Sequence, residues 1–313
     1  MFPRAFEGAA LIYPSFDTLV EKVRDGAARR KVVAVVAAED DHTLEAVAQA
    51  RRDGILDACL IGRADKIRTL LAGLGEAAED FRIVDAEDPV AAAKRAAELV
   101  RERTVDFVMK GKVQTADLLR AMLSSESGMR TGRLLSHFAL VQIPNYHKLI
   151  GLTDVAINIA PDLAQKKEIV ENAVATMRAI GFEPPKVALL SSAETVNPKM
   201  PETAEAAALT ELNRGGWLPG CHVDGPISYD LAISAESARI KGYDSPLPGD
   251  VDLLVVPHIS VGNILLKALR YSAGAASAGI VVGGRVPIVL TSRAVEAQDK
   301  FLPLVIAASV SGD

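Results

Sequence analysis

Short runs rich in β-branched residues alternate with longer stretches of helical periodicity, and this alternation constrains the fold more than any other feature of the chain. The runs at 32–36, 58–61, 81–84 and 107–109 read as buried strands. Between them, segments 43–52, 65–74 and 89–103 place apolar residues at helical spacing and end near glycine or charge. Further strands are expected at 138–142, 155–159, 187–191, 253–257 and 280–282, with helices at 163–180, 202–213 and 261–273. A last strand at 288–290 and a helix after Ser292 close the chain. Repeated βα units predict an α/β fold with mostly parallel sheets, right-handed crossovers and helices on both faces. At 313 residues the chain is long for one core, so two domains are expected, with a break in the pattern near Gly128–Gly132.

Composition narrows the class. Nearly half of the residues are apolar, which excludes disorder, and the scarcity of aromatics leaves Ala, Val, Leu and Ile to fill the core, as buried parallel sheets require. The net charge of -5 argues against nucleic acid as a partner but not against a small anion, because local fields decide that. No segment reaches the ~18 uninterrupted apolar residues of a membrane helix, and no signal-peptide pattern opens the chain. A soluble, cytoplasmic protein is the expectation. Cys59 and Cys221 lie far apart in apolar surroundings and read as reduced, buried thiols. His42, His137, His147, His222 and His258 show no metal-ligand spacing, so no metal site is expected.

Polar residues that could carry chemistry gather where strands give way to helices. In Pro287-Ile-Val-Leu-Thr-Ser-Arg-Ala-Val-Glu-Ala-Gln-Asp299 an apolar run stops at Thr291 and Ser292, Arg293 follows, and Asp299 stands seven residues after Ser292. On a helix that spacing puts Ser292 and Asp299 on one face about 10 Å apart. A hydroxyl, a guanidinium and a carboxylate at the end of a strand suit an anionic substrate. In Val108-Met-Lys-Gly-Lys-Val-Gln-Thr-Ala-Asp-Leu-Leu-Arg120 a glycine turn leads into a helix beginning near Gln114, with Lys110, Lys112 and Thr115 close to its free N–H groups. Taken alone, this segment reads more readily as a routine βα turn with solvated lysines.

Other segments carry weaker signals. Arg130 and Arg133 in Gly128-Met-Arg-Thr-Gly-Arg133 could grip phosphate or belong to a solvated hinge. Val223-Asp-Gly-Pro-Ile-Ser-Tyr-Asp230 reads as a strand end followed by a helix capped by Ser228. Asn263 and Lys267 are four apart, hence on one face of a helix, where a plain polar stripe is as good a reading. Gly283-Gly284-Arg285 lacks the dinucleotide fingerprint.

Taken together, residues 109–120, Val223-Asp-Gly-Pro226, Val261-Gly-Asn-Ile-Leu-Leu-Lys267 and Thr291-Ser-Arg-Ala294 resemble, in order, the motifs of the phosphate acetyltransferase/phosphate butyryltransferase family. The similarity runs from about residue 15 to the end of the chain, and Val196-Asn-Pro-Lys-Met-Pro201 looks more like the butyryltransferase branch. The resemblance implies reversible transfer of a short acyl group between coenzyme A and inorganic phosphate. It implies a two-domain subunit with an active cleft between domains (1–135 plus 279–313, with 136–278 inserted) and a homodimer. Coenzyme A is then a substrate, and no cofactor is implied.

By the same resemblance Ser292, Arg293 and Asp299 match the catalytic Ser-Arg and downstream Asp. Asp299 would be general base for the thiol, Arg293 the phosphate anchor and Ser292 a donor to the developing oxyanion. Thr115 and Arg120 would complete the phosphate pocket, with Arg130, Asn263 and Lys267 as further substrate contacts. Direct thiolate attack in a ternary complex needs no acyl-enzyme and draws its rate mainly from proximity. Proton transfer from an ordinary thiol to an ordinary aspartate is uphill by roughly 6 kcal/mol, so burial on binding, concerted transfer or a purely orienting Asp299 are the ways out. Two other classes compete: a decarboxylating NAD(P)-dependent dehydrogenase of related architecture, and a non-catalytic acyl-CoA or phosphate sensor.

Overall fold

The computed structural model describes residues 13–26, 29–291 and 296–312. After α1 (Phe16–Gly26), strands β1 (Lys31–Val36), β2 (Leu56–Gly62), β3 (Arg82–Asp85) and β4 (Phe107–Lys110) alternate with α2 (Asp41–Arg52), α3 (Ala64–Gly73) and α4 (Pro89–Arg101). Then come α5 (Thr115–Met122), β5 (Ser136–Gln142), β6 (Ile150–Thr153), α6 (Leu163–Ile180), β7 (Lys186–Leu190), α7 (Pro201–Arg214) and β8 (His222–Ile227). The remaining elements are α8 (Tyr229–Ile233), α9 (Ala235–Lys241), β9 (Leu253–Val255), α10 (Ile259–Ser272), β10 (Ala276–Val282), β11 (Ile288–Val289) and α11 (Ala297–Val310). The boundaries follow local chemistry. Asp88 caps α4 through Val90 N and Ala91 N, with Pro89 in the first turn where its missing N–H costs nothing. Asp162 and Gln165 form a capping box on α6, which ends at the left-handed Gly181.

Among the described residues the strands form one sheet in the order β3-β2-β1-β4-β11-β10-β5-β6-β9-β7-β8. It is mostly parallel; only the β11–β10, β10–β5 and β5–β6 pairs are antiparallel. The consequence is a reversal of direction. Strands β1 to β4 and β11 finish at one rim of the sheet, here the first rim, whereas β6 to β9 finish at the opposite, second rim. One face is covered by a continuous core in which α2, α3, α11, α6 and α7 meet residues such as Val35, Phe107, Leu140 and Leu189. On the other face the core is divided. Ala34, Val36 and Val108 pack under α4 and α5, while Val141, Leu152 and Leu254 pack under α8, α9 and α10.

The strand expected at 155–159 is instead a turn, and the strand lies just before it as β6. Asp154 is the cause. Its carboxylate accepts from Ala156 N, Ile157 N, Asn158 N and Asn158 Nδ2, so these backbone donors are taken locally and unavailable to a ladder. Gly225-Pro226 does not end its strand but lies inside β8, which tolerates a proline because it is the sheet's last strand. Ser228 stands at the start of α8 without a side-chain cap; its hydroxyl donates to Glu194 Oε1 at 2.5 Å. Cys59 and Cys221 are buried free thiols, and burial pushes both pKa values up. No helix among the described residues is long and apolar enough to cross a membrane.

A charged cluster pins the starts of β6, β7 and β9. Buried Lys148 reaches Asp250 and Asp252, each at 2.6 Å, and Lys186 also pairs with Asp250. Burial alone would raise the Asp250 pKa, but hydrogen bonds from Lys148 and Lys186 outweigh it and bring it down to about 2. A depressed carboxyl contributes stability above its unfolded pKa, and that contribution is lost as pH falls from about 4 through the native value. Because Asp250 is 42% exposed, screening limits the effect to about 1 kcal/mol. Urea midpoints at pH 7 and pH 2.5 should therefore fall less in Asp250→Asn than in the parent; equal falls would remove the cluster from acid stability.

Candidate active site

The K-G-K turn is shaped by close approach. Gly111 N–H donates to Val36 O at 2.9 Å and Lys112 N–H to Ala37 O at 2.7 Å, stitching the end of β4 to the end of β1. A Cβ on Gly111 would stand 2.4 Å from Ala37 O and 2.7 Å from Val36 O, both backbone atoms that cannot swing aside. Gly111→Ala should therefore cost about 1–3 kcal/mol and shift the start of α5, lowering turnover as well as the melting temperature. An unchanged melting temperature would show that the turn relaxes freely. Lys110 is buried, with Nζ donating to Gly111 O at 3.3 Å and Val113 O at 3.4 Å.

From this turn α5 presents Thr115 at the first rim, exposed. Arg120 follows on the same helix, 74% exposed and paired to Asp117 at 2.6 Å. Asp299 also sits at the first rim, in the first turn of α11, where Arg270 from the end of α10 meets it at 3.3 Å. That helix starts only at Ala297, after an extended Glu296. Ser292 and Arg293 lie outside the described residues. Thr291, just before them, has its hydroxyl oxygen buried without a partner among the described residues.

The other expected contacts lie elsewhere. Asn263, in the second turn of α10, reaches Val155 O at the second rim at 3.4 Å. A Cβ on neighbouring Gly262 would come within 2.9 Å of Asp154 O, which shows how closely α10 approaches that turn. Lys267, one turn further along α10, is exposed. Arg130 belongs to the second rim, its Nε donating to Leu123 O at 2.6 Å. The fold thus brings Thr115 and Asp299 to one rim, leaves Arg120 and Lys267 on helix flanks, and places Arg130 and Asn263 at the other rim.

Between the two divided cores lies a residue that no motif singles out. His137 on β5 lies over Gly279 of β10, where a Cβ would stand 2.6 Å from the ring's Nε2 and Cε1. Among the described residues its buried Nδ1 has no partner, and burial lowers the pKa although the charge of Asp154 opposes it, which favours the neutral ring. The strand register carries Leu290, two residues before Ser292, level with both Lys110 and Gly279. His137 and Lys110 therefore flank the strand end that leads into Ser292 and Arg293. Only the pairing of β5 with β10 reveals this; a lone His in an apolar strand carries no such signal.

Among the described residues no three His, Cys, Asp or Glu side chains converge as metal ligands. The arrangement offers instead cationic and hydroxyl groups, a carboxylate and a helix N-terminus, which together suit binding of a phosphate-bearing substrate. Comparison with known proteins agrees with this chemistry. The phosphate butyryltransferase of Clostridium acetobutylicum is 42% identical over 299 residues, covering 96% of this chain and 99% of the relative. The phosphate acetyltransferase of Thermotoga maritima is 39% identical over 292 residues, covering 93% and 98%. The crystal structure of a branched-chain phosphotransacylase from Enterococcus faecalis superposes with a TM-score of 0.79 at 35% identity, covering 90% of this chain and 99% of that one. Residues 89–308 match the family described as phosphate acetyl/butaryl transferase, and with near-complete coverage of relatives on both its branches the chain belongs to that family of acyltransferases.

Proposed function

We propose that this enzyme reversibly transfers a short acyl group, butanoyl or acetyl, between coenzyme A and inorganic phosphate to give an acyl phosphate. The observation that carries the reading is similarity along nearly the whole chain to both a butyryltransferase and an acetyltransferase, with Thr115 and Thr291 following the adjacent strands β4 and β11. Arg293 holds the phosphate or acyl phosphate, assisted by Thr115 and Arg120, and Ser292 donates a hydrogen bond to the oxyanion formed when the thiolate attacks. Asp299 takes the thiol proton in a ternary complex, which requires it to exchange its contact with Arg270 for the substrate. Arg130, Asn263 and Lys267 serve the longer reach of coenzyme A. This substrate spans far more than one strand end, which accommodates their spread between the rims.

Within this reading the chain is organised as two α/β units, 1–135 plus 279–313 and 136–278, with the reaction between them. The divided core on the α5/α10 face supports that division. A homodimer is part of the same proposal; Val261, Ile264 and Tyr271 form an exposed apolar stripe on α10 suited to a second copy. We place the enzyme in the cytoplasm, with no cofactor beyond its substrates. The test is release of free thiol from acetyl-, propanoyl- and butanoyl-CoA on adding phosphate. Phosphate-dependent release is expected with at least one, and the rank of the rates gives the acyl preference. No release with any of them, or a change in NAD(P) absorbance instead, would overturn the proposal in favour of a sensor or a dehydrogenase.

A further inference from the structure

Two arginine-bearing loops meet at the second rim, and Arg130, the one residue of them given to coenzyme A above, does not line the cavity they form. Residues 128–133 lead from α5 into β5, and residues 283–287 join β10 to β11. Thr131 Oγ1 donates to Gly283 O at 2.6 Å, and Arg285 N–H donates to Met129 O at 3.0 Å. Gly283 has φ +97°, and a Cβ there would stand 2.2 Å from Leu134 O, so the contact between the loops excludes a side chain. Together with the end of α4, the flank of α6 and the last turn of α11, these loops wall a cavity of about 630 Å³. That volume lies within the range of small-molecule sites.

The wall is cationic in an acidic protein. Arg29, Arg103, Arg133 and Arg285 line it against one carboxylate, Asp106, in a chain of net charge -5. Asp106 is already gripped by Arg29 at 2.8 and 2.5 Å. Glu171 is occupied by Trp217 Nε1 at 2.6 Å and Lys167 at 3.2 Å; burial would raise its pKa, but these hydrogen bonds and the charge of Lys167, with a smaller part from Arg133, bring it down. Among the described residues, no hydrogen bond or ion pair engages the guanidinium groups of Arg103, Arg133 and Arg285. Three uncommitted forks around one cavity repel one another and are matched by an anion with several oxygen acceptors. Val100, Val282 and Val286 supply apolar wall beside them, suited to the body of a ligand that carries such an anion.

We propose that this cavity binds a small oligophosphate of the nucleoside di- or triphosphate class, at a site separate from the acyl-transfer site. Separation follows from topology: the cavity is lined by residues that immediately precede β4 and β11, whereas the reaction motifs follow the ends of the same strands. The assignment does not depend on the acyl-transfer reading. The test is isothermal titration of the full-length protein with inorganic tripolyphosphate and with ATP, without metal, with and without saturating coenzyme A. Both ligands are expected to bind once per chain, with affinity unaffected by coenzyme A and weakened about tenfold or more in the Arg133→Ala/Arg285→Ala variant. Tighter binding of ATP than of tripolyphosphate would assign the apolar wall to the base. Phosphate-dependent thiol release by that variant should match the parent, and the milder Arg285→Gln serves if the double variant melts early. Absence of binding, equal affinity in the variants, or displacement by coenzyme A would overturn the site.

Discussion

Arg293→Ala is expected to lower kcat/KM for phosphate by about a hundred- to a thousandfold while leaving the unfolding midpoint nearly unchanged. A guanidinium offers a planar fork that matches two phosphate oxygens at once, and neither water nor lysine reproduces that geometry. The residue follows a strand whose Val289 is fully buried and precedes a helix whose Lys300 is buried. Initial rates at varied phosphate and varied acyl-CoA separate the possible roles. A loss confined to the phosphate dependence identifies an anchor, an equal loss in kcat identifies a transition-state contact, and unchanged constants remove Arg293 from the reaction.

Lys300→Met should destabilise the protein by about 3–5 kcal/mol, the largest stability effect expected of a substitution close to the site. Lys300 Nζ donates to Asp40 Oδ2 at 2.7 Å and to Thr43 Oγ1 at 3.0 Å, and the same Asp40 oxygen caps α2 through Thr43 N at 3.0 Å. Burial would push the Asp40 pKa up, but hydrogen bonds from Lys300 and Thr43 hold it below the usual carboxylate range. The pair therefore contributes above the unfolded pKa, and its contribution is lost as pH falls through the lowered native value. Methionine fills the stem's volume but leaves a carboxylate, only 22% exposed, without its cation. Urea unfolding at pH 7 measures the loss, and Asp40→Asn added to Lys300→Met should recover part of it. An unchanged midpoint in the single variant would show that the pair is dispensable.

Much of the first half of this architecture can be read from local pattern, because each element there obeys one period and one cap. The helix at 163–180 was legible to the residue, since Asp162 and Gly181 mark both ends in ways only a helix uses. Asp154 shows the opposite case. A short apolar run after it looks like a strand, yet one side chain withdraws its backbone donors from any ladder. The candidate site was legible as strings of residues but not as a place. Which rim each string occupies depends on the antiparallel β10–β5 pair, and strand direction leaves no trace in periodicity. Lys300 was invisible for a related reason: its partner, Asp40, is 260 residues away in the chain.

The sheet's two outer strands set how copies of this protein can meet. A sheet edge is a template on which a second chain can add a strand and begin to aggregate. Here β3 has only four residues and exposes Arg82 and Asp85, and β8 contains Pro226, which has no N–H to offer a neighbour. Both ends of the eleven-stranded ladder are thus blunted. Growth into fibrous assemblies by strand addition is disfavoured, and association of folded copies is directed towards helical surfaces, where side chains rather than backbone decide the partner.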